Sequence, residues 1–167
     1  MAQAGDTFLL HAGSYGGRIV FTRPGTAAAY VAWRAAGDGE VTMAGVDIYA
    51  SHLWLEGLTV RDQQYGTRTQ SAPTNVVLTR SFFYGNHYSI FLSSGGSHWY
   101  ITDNTIVGNT PNLSQNDEGE GIELLTTSGH TVAHNSITNV ADGISYPKTN
   151  VDIFGNDTMT LVPVTVG

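Results

Sequence analysis

The chain has 167 residues, of which 13% are charged, with 20 Gly and no Cys. Seven Lys plus Arg against 14 Asp plus Glu give a formal net charge of -7. That balance disfavours general binding to nucleic-acid phosphates, which requires basic patches. The lack of Cys excludes a disulfide framework and a thiolate metal site. The length predicts a single domain over residues 1–167.

The first ten residues, "MAQAGDTFLL", have neither a basic start nor a long apolar core. They therefore predict no signal peptide. No apolar stretch approaches the roughly 18 residues of a membrane span. We expect a soluble protein without a membrane partner, and its compartment is unknown from the sequence.

The chain begins with a region that we assign to the first coil, residues 1–45, in which "DTFLL" and residues 30–34 are predicted strands. After it, a unit typified by "HWYITDNTIVGN" (98–109) recurs at offsets of 23, 23, 31 and 21 residues. The matched apolar positions are Leu55, Leu78, Ile101, Val132 and Ile153. Repeats of this length indicate stacked structural units.

Each unit is made of strands, because its apolar residues alternate, as in Trp99 and Ile101. A second short run, such as "GIELL" (121–125), lies between copies. One repeat of about 22 residues then holds about three short strands and three bends, and successive coils stack about 4.8 Å apart. The Asn residues of the copies should form a ladder at one corner; they are Asn104, Asn135 and Asn156. This predicts an all-β solenoid of five to six coils, with regular repeats over 46–158 and an extended segment over 159–167.

Several motifs resemble those of right-handed parallel β-helix proteins of the pectate-lyase-like type. The weak consensus of that family is matched by "ITDNTI", "VAHNSI", "GEGIEL" and "ADGISY". The opening "AGDTFLLHAGSYGG" (4–17) and the following residues 23–45 look like the start of the group that contains chondroitinase B and alginate lyases. The resemblance implies the fold. It leaves activity open, because β-helices host lyases, hydrolases, epimerases, adhesins and tailspikes.

In such proteins a polysaccharide lies along the outer face of the sheet made by the Gly-Ile strands. Counting from the inward Ile residues predicts two outward columns in this chain. One column is Asp47, Arg68, Phe91, Glu123 and Ser145, with Lys148 just past its last strand. The second column is Tyr88, Glu120 and Asp142.

A lyase acting on uronic sugars needs a cation beside the sugar carboxylate and a base. The candidates for these catalytic roles are Arg68, Glu123 and Lys148. The candidates for substrate binding on the same face are Phe91, Tyr88 and Asp47.

The acidic edge of this face is compatible with Ca²⁺, which takes six to eight oxygen ligands. Its candidate ligands are Glu120, Asp142 and Asp117. Two neighbouring carboxylates also suit glycoside hydrolysis, and a solvated acidic edge without any chemistry is the plainer alternative. No cofactor is certain.

Two further pairs of residues each allow a structural and a functional interpretation. His52 and His98 share a bend position with Asn75 between them, so they are either bend residues or metal ligands. Trp54 and Tyr100 point outward, where they either stack on sugars or pack beneath a loop.

The sequence therefore predicts a carbohydrate-related β-helix domain, a polysaccharide lyase relative that acts on or binds acidic polysaccharide along an outer face. The alternatives are a non-catalytic binding or assembly module and a truncated remnant that retains no chemistry. The sequence also predicts a homodimer. Solenoid ends expose strand edges unless something covers them, and a closed two-fold pair stops further growth. We expect that interface at an end coil, with the C-terminal segment 159–167 as the first choice.

Overall fold

A computed structural model describes residues 1–108, 119–125 and 127–159. Within those residues the chain forms strands and bends, and no helix is long and apolar enough to cross a membrane. The strands in chain order are β1 (Thr7–Leu10), β2 (Gly13–Tyr15), β3 (Ile19–Phe21), β4 (Val31–Ala35), β5 (Val41–Met43), β6 (Val46–Ile48), β7 (Leu53–Glu56), β8 (Leu58–Arg61), β9 (Tyr65–Thr69), β10 (Val76–Thr79), β11 (Phe82–Tyr84), β12 (Tyr88–Phe91), β13 (Tyr100–Thr102), β14 (Thr105–Val107), β15 (Glu120–Glu123), β16 (Thr131–Ala133), β17 (Ser136–Thr138), β18 (Asp142–Ser145), β19 (Asp152–Phe154) and β20 (Asp157–Met159).

Every third strand pairs in parallel, which makes three sheets that wind around one core. Sheet A is β1-β4-β7-β10-β13-β16-β19, sheet B is β2-β5-β8-β11-β14-β17-β20, and sheet C is β3-β6-β9-β12-β15-β18. One strand from each sheet makes one coil, so β1 to β18 form six coils. The predicted all-β parallel β-helix with three short strands per coil is confirmed.

The core is a set of apolar columns, and the predicted column in sheet A is confirmed. Its members pair in register from coil to coil, in the order Leu55, Leu78, Ile101, Val132 and Ile153. The first four are fully buried, whereas Ile153 is 43% exposed because it lies on the last described coil. Phe154 beside it is 52% exposed. The homodimer through an end coil stays a prediction.

The bends between the strands hold residues in the left-handed backbone region. At the corner between sheets A and B these are Gly57, Arg80, Asp103, His134 and Gly155. The ladder Asn residues do not adopt this conformation themselves, because the residue just before each Asn has the positive φ.

The ladder Asn residues contribute their side-chain amides, which form hydrogen bonds with the backbone N–H and C=O groups inside the bend. The side chain of Asn135 accepts from the N–H of Asn104 at 3.0 Å and donates to the carbonyl of Ile101 at 2.9 Å. Asn156 accepts from Asn135 in the same way, at 3.0 Å from its N–H and 2.8 Å from its side-chain amide. The predicted ladder is confirmed, and it continues to the next coil, where Ser81 donates its N–H to Asn104 at 3.0 Å.

Gly66 and Gly121, each the second residue of a sheet C strand, have a packing reason. A Cβ at Gly66 would lie 2.5 Å from the carbonyl oxygen of Ser89 and 3.1 Å from the ring of Phe83. A Cβ at Gly121 would similarly collide with the carbonyl of Gly143. The backbone of sheet C therefore approaches its neighbouring coil and sheet B too closely for a large side chain.

We predict that Ile101→Ala lowers the free energy of unfolding by about 2–5 kcal/mol, because it opens a cavity in a fully buried column. Urea denaturation measures this loss. Tyr100→Ala is the matched control. Tyr100 precedes Ile101 in the chain, but its side chain is 50% exposed and points outward. Equal losses in the two variants would contradict the assignment of the core column.

We predict that Asn135→Ala costs about 2–4 kcal/mol, because it leaves buried backbone groups on two coils without their partners. Asn156→Ala, on the more exposed last coil, should cost less. Thermal and urea unfolding of both variants check the order. A ladder that merely fills space would give similar values for both positions.

Candidate functional site on the outer face of sheet C

The predicted columns on sheet C are confirmed by the strand register. The first runs through Asp47, Arg68, Phe91, Glu123 and Ser145. The second runs through Tyr65, Tyr88, Glu120 and Asp142. Tyr65 was missed in the sequence, although it precedes Tyr88 by the same 23 residues that relate the repeats.

Asp47 joins two arginines at one end of this face. Arg68 donates to it twice, from Nε at 2.7 Å and from Nη2 at 3.1 Å, and Arg18 donates from Nε at 2.8 Å. Burial alone would raise the pKa of Asp47, but the hydrogen bonds from Arg68 and Arg18 outweigh it and hold the pKa below its ordinary value. The carboxylate therefore stays ionised and fixes Arg68 across the face.

Arg18 is a site residue that the sequence did not reveal. Its guanidinium donates to the carbonyls of Tyr65 at 2.7 Å and Val46 at 3.2 Å. A side chain on Gly45 would collide with that guanidinium, so Gly45 leaves the space for it. Arg18 lies in the first coil, outside the regular repeat, and its type and position gave no signal for this role.

Next to the arginines, three aromatic rings form a continuous patch, the aromatic platform of Tyr65, Tyr88 and Phe91. Tyr65 and Tyr88 stack at 5.2 Å with an interplanar angle of 13°, and Phe91 lies 5.0 Å from Tyr65 and 4.9 Å from Tyr88. The guanidinium of Arg68 lies 5.4 Å from the centre of the Tyr65 ring. Each platform residue is half-buried, so part of each side chain remains open to solvent.

The acidic end of the same face is buried. Glu120 is 3% exposed and Glu123 is 5% exposed, and Ser145 donates its hydroxyl to Glu120 at 2.5 Å. Asp142 is adjacent to Glu120 in the register, as predicted, but it is exposed.

The calcium site stays a prediction. Asp117, one of its candidate ligands, lies outside the described residues. Within the described part of the chain, no group of three His, Asp or Glu residues is placed to hold a metal.

The three candidate catalytic residues lie apart. Arg68 and Glu123 are separated by Phe91 in one column, which places their backbones two strand spacings or roughly 9.6 Å apart. Lys148 is exposed beyond the end of β18. The register thus brings Arg68 to Asp47 and to the aromatic platform, and it does not bring Arg68 and Glu123 to neighbouring positions.

Comparison with known proteins identifies the architecture. The family model described as "Right handed beta helix region" matches residues 36–158. No protein of curated function matches this chain. A mannuronic acid specific polysaccharide family 6 lyase enzyme from human gut microbiota, known as a solved structure, is similar at 17% identity and a TM-score of 0.38. That similarity covers 93% of this chain and 70% of the enzyme's chain.

The histidines lie at bends and in the core. His52 and His98 adopt left-handed conformations at the same corner, with Asn75 between them, as their spacing predicted. His130 is different, because it is 1% exposed and its Nδ1 accepts the N–H of Trp99 at 3.1 Å. Its Nε2 has no hydrogen-bond partner among the described residues. Burial, with a smaller contribution from His98, lowers the pKa of His130 to about 4.

We predict that His130 makes the fold less stable in mild acid. The unfolded chain binds a proton at its ordinary pKa near 6.5 while the folded chain does so only near 4, so stability falls as pH drops through that interval. The full decrease in the free energy of unfolding is on the order of 3 kcal/mol. Urea denaturation of the native protein between about pH 7 and pH 4 measures it.

The matched control for that prediction is His130→Asn, which retains an acceptor for Trp99 and cannot titrate. The variant should lose less stability than the native protein over the same pH range. Parallel pH profiles for the two proteins would count against the role of His130.

Proposed function

The chain belongs to the right-handed β-helix family, and from that premise we propose that it binds an acidic polysaccharide along the outer face of sheet C. The observation that carries this proposal is the aromatic platform of Tyr65, Tyr88 and Phe91 beside a fixed arginine. Aromatic rings offer flat apolar faces, and Tyr adds a hydroxyl for hydrogen bonding. Sugar rings have apolar C–H faces of similar size, so stacking on the platform removes both surfaces from water.

The charge beside the platform favours an acidic sugar. Two guanidinium groups, from Arg18 and Arg68, meet the single carboxylate of Asp47, which leaves a net positive charge there. The Arg68 side chain is 32% exposed, so it remains accessible to a ligand. Because Asp47 holds Arg68 in a two-pronged contact, a sugar carboxylate meets a cation that is already oriented.

The order of residues along the column favours binding over elimination chemistry. A lyase requires its cation and its base around one sugar unit, whereas Phe91 stands between Arg68 and Glu123. Glu120 and Glu123 are buried at the far end of the face, away from the arginines. These positions support a module that holds a polysaccharide without cleaving it.

We predict that Phe91→Ala and Tyr88→Ala each weaken binding of oligogalacturonate by about tenfold, because each removes a stacking surface. Arg68→Gln should weaken binding of this acidic ligand and reduce its dependence on salt. Isothermal titration calorimetry at low and high ionic strength measures both effects. Tyr84→Ala, which removes a 40% exposed ring from sheet B, is the control and should bind normally.

The same samples distinguish binding from catalysis. Elimination of a uronate polymer creates an unsaturated product that absorbs in the near ultraviolet, so a steady rise in absorbance would replace the binding proposal with a lyase. Normal binding by Phe91→Ala and Tyr88→Ala would show that the aromatic platform is not the binding site.

A further inference from the structure

A second pair of aromatic residues lies on a different face of the solenoid, the outer face of sheet A. Trp54 is 37% exposed and Tyr100 is 50% exposed. Both pair in register with Val77, from opposite sides, so they belong to one outward column. Two strand spacings separate them, which is roughly 9.6 Å along the solenoid axis. That distance is comparable with the length of a disaccharide in an extended chain.

The Trp54 ring is held in place by an ion cluster centred on Glu56. Its Nε1 donates to Glu56 at 2.8 Å, while Arg34 donates to Glu56 at 2.7 Å and Arg80 donates at 2.9 Å. Burial would raise the pKa of Glu56, but these donors, led by Arg34, lower it overall, so the acceptor is ionised. A ring fixed before binding loses little conformational freedom on binding, which favours recognition.

The positions of this column next to the two rings carry short side chains. Ala32 and Thr7 precede Trp54 on the earlier coils, and Thr131 follows Tyr100 on the next coil. These side chains are short, so none of them rises to block a chain that runs along the axis. Asp152, the acidic residue of this column, lies one coil beyond Thr131.

The charged side chains beside this column differ in their exposure to solvent. The side chains of Arg80 and Arg34 are 67% and 46% exposed, whereas Glu56 between them is 12% exposed. The solvent-facing charge beside Trp54 is therefore positive, in a chain whose net charge is -7. This positive charge complements a polymer with acidic groups.

We propose that Trp54, Val77 and Tyr100 form a second polysaccharide-binding strip, in which an acidic chain runs along the solenoid axis with alternate sugars over the two rings. This site does not rest on the one proposed for sheet C, because it uses different residues on a different sheet. With both sites, one molecule binds two polymer chains and connects them.

The first test uses calorimetry with oligogalacturonate. The native protein should bind two oligosaccharides, and Trp54→Ala and Tyr100→Ala should each remove one site or weaken it by about tenfold. Phe91→Ala weakens binding at the sheet C site alone, so the two proposals fail separately. Tyr84→Ala is again the control, and a thermal melt of each variant excludes unfolding as the cause.

The second test uses fluorescence, because the three Trp residues differ in exposure. Trp99 is fully buried and Trp33 is half-buried, so Trp54 is the residue most open to quenching by acrylamide. Saturating oligogalacturonate should protect the native protein from quenching, and Trp54→Phe should abolish most of that protection. A structural role for Trp54 would not produce ligand-dependent protection.

Three results would overturn the proposal. One is a single binding site that Trp54→Ala and Tyr100→Ala leave unchanged. Another is equal or tighter binding of a neutral cello-oligosaccharide at this strip, which contradicts the charge argument. The third is sedimentation as a dimer that Trp54→Ala dissociates, since the strip would then contact a second copy of the chain.

Discussion

The structure depends on one constraint: each residue lies directly beside its counterpart on the next coil, about 4.8 Å away, in parallel and in register. An apolar residue that faces inward therefore packs on another apolar residue, as Leu78 does on Leu55 and on Ile101. A polar group that is buried at a bend must find its partner one coil away, as the Asn ladder does. Because the period of each strand is two, a shift by one residue would expose every core column at once.

The same constraint explains why so few residues are charged. Like charges at the same position of successive coils would repel at close range. Five of the six arginines pair with acids on neighbouring coils: Arg18 and Arg68 pair with Asp47, Arg34 and Arg80 with Glu56, and Arg61 with Glu40. The charge share of 13% agrees with this constraint.

Much of the fold could be predicted from sequence because these repeats are close to the length of one coil. The offset of 23 residues places Leu78 beside Ile101 and Arg68 beside Phe91 without any coordinates. The positions of side-chain atoms did not follow from the offset. The predicted column placed Arg68 beside Asp47, but nothing in the sequence indicated that Arg18 would join them from an irregular coil. The aromatic platform was only half-predicted, since Tyr65 was overlooked beside Tyr88 and Phe91.

The inward columns specify the fold, which leaves the outward columns free to carry function. Substituting Tyr88 or Tyr100 changes an outer face while Ile90 and Ile101 continue to hold the coils together. Outward columns are also linear arrays whose spacing is set by the backbone, and a linear polymer is the ligand that meets such an array repeatedly. Each extra aromatic ring in a column adds a contact with a chain that is already bound, at little further cost in translational freedom. A solenoid with aromatic residues on two of its faces is therefore well suited to bind polysaccharide chains on both.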